Sequence, residues 1–253
     1  MDLGLSGKIA LVTGAANGIG RAVAQALASE GVRVYLADLD ASGAADAADS
    51  LRSNGAAAEG VGLDVGDANS VQEVFSRIRS REKRLDVLVN SAGILRTSTL
   101  GDSTPADWEV LSRINVGGVY LCCKAAVDMM SGQRYGKIVN LSSISAFKGG
   151  GSVGNVLYGA SKAAVIALTK GFAREYAPLG INVNAVAPAV TQTPMTQDSF
   201  SNLELRARVE RSIPAGRIAE PSEIAGLTLF LVSDLAAYIN GSIVVIDGGL
   251  LTA

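Results

Sequence analysis

Thr13-Gly14-Ala15-Ala16-Asn17-Gly18-Ile19-Gly20 stands between a short apolar run, Ile9 to Val12, and a pattern of Ile19, Val23, Ala26 and Leu27 at helical spacing. An apolar run of strand length that ends in glycines and passes into a period of 3.6 residues reads as strand, turn, helix. Glycines in that turn keep it tight, let the backbone approach a ligand and bring helix against strand, and the first amides of the helix then face a pyrophosphate. Gly14, Asn17, Gly18, Ile19 and Gly20 are therefore candidates for holding a dinucleotide. The next run, Val32 to Ala37, is β-branched and aromatic enough for a second strand, and Asp38 falls at its end, 18 residues beyond Gly20. A carboxylate there is placed to accept hydrogen bonds from both hydroxyls of an adenosine ribose and repels a 2′-phosphate. The competing reading is that Asp38 only caps a turn. Asn17 and Leu39, the neighbouring positions, are not basic, although Arg21 is close by, so NAD is expected rather than NADP.

Further strand candidates are 60–63, 87–89, 138–141, 182–186 and 243–246, each separated from the next by helical patterns. Seven strands spaced by helices predict an α/β fold, a doubly wound parallel sheet with helices on both faces, because parallel neighbours need crossover connections. No linker or repeat interrupts residues 1–253, which are read as one domain. The segment 194–212 follows a strand yet is polar, with Met195, Phe200, Leu203, Leu205 and Val209 spread along it; as an insertion after a strand's C-terminal end it is expected to be a helical lid over a substrate.

Composition closes off other chemistries. The chain contains no histidine, which excludes Ser-His-Asp and Cys-His catalysis and every His-containing metal site. Its two cysteines, Cys122 and Cys123, are adjacent in an apolar segment and are expected to be buried structural thiols, so no metal site is expected and redox chemistry must come from a bound organic cofactor. A net charge of −2 without a basic run argues against nucleic acid and a polybasic membrane patch. No apolar stretch is read as reaching the roughly 20 residues that span a bilayer, and the first residues lack a signal peptide's pattern. A cytoplasmic protein with a small-molecule partner is expected.

Tyr158-Gly159-Ala160-Ser161-Lys162 sets a phenol and an ammonium four residues apart, on one face if the segment is helical. A neighbouring cation favours the phenolate, so the pair is expected to act as a proton-transfer unit with a more acidic tyrosine.

Together these motifs resemble the short-chain dehydrogenase/reductase family over essentially the whole chain. Its TGxxxGxG signature is matched by Thr13, Gly14, Gly18 and Gly20, its acidic adenine contact by Asp64-Val65, and its NNAG strand end by Asn90-Ser91-Ala92-Gly93, where Ser91 replaces Asn. The resemblance implies a catalytic serine after the fifth strand. Ser143 holds the usual place in the pattern, 15 residues before Tyr158, while Ser145 has the commoner spacing; Gly149-Gly150-Gly151 offers room for an insertion, so Ser143 is chosen and Ser145 is assigned to the substrate pocket with Leu95. Asn115 matches the family's helix asparagine, which loosens its helix and anchors a water towards the lysine; packing within the helix is the alternative. Pro188 to Met195 resembles the PGxxxT segment, making Pro188, Val190 and Thr193 nicotinamide contacts, with Ala189 replacing a glycine and strained if positive φ is required there.

What the resemblance implies is hydride transfer between nicotinamide and a secondary alcohol or ketone, with Tyr158 as general acid/base, Lys162 on the nicotinamide ribose, Ser143 on the reacting oxygen, and a homotetramer. Asn90, Ala92 and Gly93 would line the cofactor. The four-residue spacing of Tyr158 and Lys162 disfavours enoyl reductases. An NADPH-dependent 3-oxoacyl-thioester reductase of the acyl-carrier-protein type is the enzymatic rival, and a nucleotide-binding sensor or scaffold the non-enzymatic one. The pocket candidates Leu95, Ser145, Phe147, Leu157, Val190 and Phe200 predict a neutral, moderately apolar substrate, with Arg96 and Lys148 as possible exceptions.

Overall fold

In strand β1 (Ile9–Thr13), Ile9 and Leu11 enter one apolar cluster while Ala10 and Val12 enter another. A strand buried on both faces has to be covered on both, and successive side chains alternate between them. The computed structural model describes residues 2–151 and 154–252, the side chains of 198 and 199 excepted. Around β1 it places β2 (Arg33–Asp38), β3 (Ala58–Gly62), β4 (Val87–Asn90), β5 (Gly136–Leu141), β6 (Ile181–Pro188) and β7 (Ile243–Ile246). All neighbours pair parallel, in the order β3-β2-β1-β4-β5-β6-β7. The seven expected strands are therefore present, with β6 running on to Pro188 and β2 taking in Asp38.

One face carries α1 (Gly18–Ser29), α2 (Ala41–Ser53) and, late in the chain, α10 (Pro221–Val232), which contribute Val23, Leu27, Ala47, Ile224 and Leu231 to the cluster of Ala10 and Val12. The other carries α3 (Ala68–Glu82), α5 (Gly118–Gln133) and α7 (Val156–Tyr176), with Phe75, Ile78, Cys122, Val127 and Val165 packed on Ile9 and Leu11. Ahead of α5 come α4 (Pro105–Leu111) and a π-helical turn, Ser112–Gly117; α6 (Ser145–Lys148) precedes α7. Both cysteines are buried as expected, and burial pushes the Cys123 thiol up to about 12 and Cys122 higher still.

The helical run Pro105–Gln133 corrects one reading of the sequence, since it is long and apolar enough to cross a membrane by length and composition. Its apolar side, including Cys122, Ala126, Val127 and Met130, is buried against the sheet. The segment after β6 is two helices, α8 (Pro194–Phe200) and α9 (Leu203–Ser212), because Asn202 breaks the run and accepts the Leu205 N–H at 3.0 Å as the cap of α9.

The chain reverses its direction of sheet growth between β3 and β4, so a crevice opens beyond the C-terminal ends of β1 and β4. The glycine turn after β1, Asp38 at the end of β2 and Ser143 after β5 all fall at this rim.

Candidate active site

The turn after β1 is built for close approach. Gly14 has φ +66°, and a Cβ there would stand 2.8 Å from the Ala92 backbone; Gly18 has φ +56° and faces Thr193, whose side chain would be 3.4 Å from its Cβ. Thr13 ties the two strand ends together, its Oγ1 accepting the N–H groups of Ser91 and Ala92 at 3.1 Å each. Asn17, the N-cap residue of α1, makes no side-chain cap, so the opening amides of that helix keep donors for an anion. Together these features fit a dinucleotide pyrophosphate.

The groove leading away from this turn is lined by Gly14, Asn17, Gly18, Ile19, Gly20, Asp38, Leu39, Asp64, Val65, Ala92 and Gly93. Asp38 caps the turn, as the competing reading has it, and also lines the groove. Its carboxylate accepts from Ala16 N–H at 3.0 Å and Asp40 N–H at 3.1 Å, which fixes the turn and still leaves acceptor capacity for two further donors. Asp64 accepts from Gly66 N–H at 2.8 Å and pairs with Arg113 at 3.6 Å. Arg21 does not line the groove, whose basic side chain, Arg96, donates to Asp107 at 3.1 Å.

Asn90 departs from the expectation. It is buried below the groove, its Nδ2 donating to Asn140 Oδ1 at 2.8 Å, and Asn140 in turn donates to Thr169 at 3.0 Å. Asn90 thus braces β4 against β5 instead of lining the cofactor groove.

A cleft continues from the groove over the ends of β5 and β6, lined among others by Ser143, Ser145, Tyr158, Lys162, Pro188, Val190, Thr193 and Leu95. Asn155 caps α7, accepting the Tyr158 N–H at 2.9 Å, so Tyr158 leaves the first turn of the helix and Lys162 the next. Lys162 Nζ donates to the Leu141 carbonyl at 2.8 Å, and Ser142 Oγ donates to the Lys162 carbonyl at 2.9 Å, pinning the lysine to the end of β5. Neither Leu141 nor Ser142 carried a sequence signal beyond adjacency to Ser143.

Ser143 Oγ accepts the Ser145 N–H at 3.1 Å and is hydrogen-bonded with Tyr158, a contact Ser145 does not make. Between Ser143 and Tyr158, Gly149 (φ +68°) ends α6 and Gly150 has φ +126°, conformations open to glycine.

The electrostatics differ from the simple expectation of an acidified tyrosine. Burial pushes the Tyr158 phenol up to about 12, the Ser143 hydrogen bond opposing it, and burial pushes the Lys162 ammonium down to about 8. Desolvation sets both shifts, disfavouring the charged form of each group.

Asn115 lies in the π-helical turn, wholly buried. It clamps Ile94, accepting its N–H at 2.8 Å and donating to its carbonyl at 3.0 Å, while its other amide hydrogen goes to Ser161 Oγ at 3.0 Å. Ser161 donates on to the Tyr158 carbonyl at 2.7 Å. Both Asn115 donors are thus spent on protein groups, and the residue stands behind the cleft rather than in it.

Ala189 escapes the strain that positive φ would impose, since Lys83 and Arg134 are the non-glycine residues with positive φ; its N–H extends the β6-β7 pairing to Ile246 O at 2.9 Å. Thr193 opens α8 and touches both groove and cleft, its N–H donating to Thr196 Oγ1 at 3.2 Å. Three pocket expectations are corrected: Phe147 is 51% exposed, Leu157 does not line the cleft, and Phe200 turns into a small core with Val209, Ile213 and Ile218. Met195, Thr196, Thr191 and Leu250 take their places.

A family profile described as enoyl-(acyl carrier protein) reductase matches residues 14–251. The chain is 38% identical over 251 residues to the 3-oxoacyl-[acyl-carrier-protein] reductase of Aquifex aeolicus, covering 99% of this chain and 100% of that protein. It is 40% identical over 248 residues to the D-threitol dehydrogenase of Mycolicibacterium smegmatis, covering 98% of this chain and 94% of that protein. Among solved structures, a gluconate 5-dehydrogenase from Burkholderia cenocepacia in complex with NADP and tartrate has a TM-score of 0.94 at 32% identity, over 100% of this chain and 98% of that one. A short-chain type dehydrogenase/reductase from Mycobacterium marinum has a TM-score of 0.95 at 33% identity, over 100% and 98%.

Proposed function

The chain belongs to the short-chain dehydrogenase/reductase family, and from that premise we propose that it is an NAD-dependent oxidoreductase interconverting a secondary alcohol and a ketone. The observation that carries this is the convergence of Ser143, Tyr158 and Lys162 in a cleft continuous with the glycine cradle. When bound, the nicotinamide supplies or accepts the hydride. Tyr158 Oη gives its proton to the carbonyl oxygen as that oxygen becomes a hydroxyl, and takes it back in the reverse direction. A phenol held near 12 is fully protonated at neutral pH, ready as the acid for reduction. Ser143 hydrogen-bonds the reacting oxygen and stabilises the charge it develops. Lys162 spends one of its three N–H donors on Leu141, leaving two for the nicotinamide ribose and for proton passage. Asn115 is a positioning residue that acts through Ile94 and Ser161. Gly14, Asn17, Gly18, Ile19 and Gly20 hold the pyrophosphate, Asp38 and Leu39 the adenosine ribose, Asp64 and Val65 the adenine, and Ala92, Gly93, Pro188, Val190 and Thr193 the nicotinamide half.

NAD is favoured because the Asp38 carboxylate faces the groove beside Leu39, with no basic side chain next to it among the lining residues. The second reading, an NADPH-dependent 3-oxoacyl-thioester reductase, is favoured by the relatives of that name and by the NADP in the Burkholderia cenocepacia structure. A homotetramer is proposed, supported by apolar side chains left exposed at the sheet edge and on its flanking helices, Val245 and Phe230.

The test is nicotinamide absorbance followed with a panel of secondary alcohols, ketones and 3-oxoacyl thioesters, with NAD(H) and NADP(H) side by side. NAD(H)-selective turnover of alcohols or ketones is expected. NADPH-selective turnover of thioesters would install the second reading, and cofactor binding without any hydride transfer would leave a nucleotide sensor.

A further inference from the structure

Ser145 and Lys148 open and close the single turn of α6, three residues apart and therefore on one side of it, and both line the reaction cleft. The cleft that holds Tyr158 and Ser143 is lined by Ser145 and Lys148 as well. Lys148 also lines the shallower pocket beyond, with Thr97, Thr99 and Asn155, so it stands at the mouth between the two.

The charge of this region is one-sided. Among the described residues, the charged side chains lining the cleft are Lys162 and Lys148, and no carboxylate lines either cleft or outer pocket. Lys162 donates to Leu141 beside Tyr158, and its remaining donors are those assigned above to the nicotinamide ribose and proton passage. Lys148 is exposed and has no hydrogen bond or ion pair from its ammonium among the described residues, and neither does the Ser145 hydroxyl. Arg96, the other cation near the site, is already ion-paired with Asp107 at 3.1 Å and lines the cofactor groove instead. An unpaired ammonium at the mouth of a carboxylate-free cleft attracts and orients anions entering it.

We propose that the substrate carries a carboxylate several bonds from the reacting carbon, held by Lys148, with a polar group between the two against Ser145: a hydroxy or keto acid. The proposal rests on the oxidoreductase reading above and replaces the neutral, apolar substrate that the sequence suggested. A single exposed cation matches a monoanion, and its contribution is modest and screened by salt.

The experiment compares kcat/KM for straight-chain secondary hydroxy acids with that for the methyl esters of the same acids, in wild type, Lys148→Met and Lys148→Glu, at low and high ionic strength. Wild type is expected to prefer the acids. The acid-to-ester ratio is expected to fall about three- to fivefold in Lys148→Met, through KM, and by about tenfold or more in Lys148→Glu, with the wild-type ratio shrinking as salt is added. A ratio unchanged by both substitutions, or a wild-type preference for the esters, would overturn the anion assignment while hydride transfer stood. Absence of turnover with every acid and ester would overturn this proposal, and the oxidoreductase reading falls with it only if the alcohols, ketones and thioesters tested above are silent too. Lys148 is exposed at the end of a four-residue helix, so the variants retain the fold, which the thermal midpoint verifies.

Discussion

Lys162 Nζ lies 5.8 Å from the centre of the Tyr158 ring, held there by the Leu141 carbonyl at 2.8 Å. The carbonyl belongs to the last residue of β5, so the strand fixes how the ammonium sits against the phenol, and Ser143, two residues on, hydrogen-bonds that phenol. One strand end thus sets the relative positions of all three groups.

The two serines after β5 separate by role. Ser143→Ala is expected to lower kcat by about a hundredfold or more, the magnitude of losing a donor to a developing oxyanion. Ser145→Ala should act mainly on KM and by less than about tenfold, in keeping with a rim hydroxyl. Steady-state kinetics of the two variants decide between them; a larger kcat loss at Ser145 would exchange their roles.

Lys162 makes stability depend on pH in a definite direction. Its folded pKa, lowered to about 8, lies below the ordinary 10.5. Above 10.5 the group is neutral in both states; as pH falls, the unfolded chain binds the proton first, and stability is lost until the folded group is protonated too, below 8. Denaturant unfolding of wild type should therefore gain on Lys162→Met by about 2 kcal/mol between roughly pH 8 and 9.5. Tyr158, raised to about 12 from 10, stays largely protonated in both states over that window. A difference that is flat with pH would mean that the lysine is not desolvated.

Gly14→Ala places a methyl 2.8 Å from the Ala92 backbone at a residue with φ +66°. Strain of this kind costs about 1–3 kcal/mol. Because the displaced turn is also the proposed pyrophosphate cradle, cofactor affinity should fall by about tenfold or more along with the thermal midpoint. Calorimetric titration alongside thermal melts checks both.

Asp38→Asn removes the charge that repels a 2′-phosphate while keeping an acceptor for Ala16 N–H. The preference for NAD(H) over NADP(H), as a ratio of dissociation constants, should drop by about tenfold or more. A wild-type preference for NADP(H) would place Asp38 as a turn cap alone.

Much of the fold was legible because its signals are local. Apolar runs of strand length, the glycine turn and the four-residue step from Tyr158 to Lys162 depend on neighbours in sequence, and each appears where that periodicity puts it. What stayed hidden depends on partners remote in sequence. Arg96 reads as a free cation until Asp107 is folded beside it. Phe200 reads as a pocket wall until α9 and Ile218 draw it into their own core. Asn90 belongs to a motif that suggests the cofactor, yet Asn140, 50 residues on, takes its amide. The spacing of Tyr158 and Lys162 gives their proximity but not the burial that raises one pKa and lowers the other.

Replacing Tyr158 by Phe removes the proposed proton donor, a single hydroxyl, from the cleft. The account predicts that Tyr158→Phe lowers hydride transfer by about a thousandfold or more, towards the upper range for loss of a general acid, while NADH titrated by fluorescence binds as it does to wild type. Turnover retained within about tenfold of wild type would contradict a proton path through Tyr158.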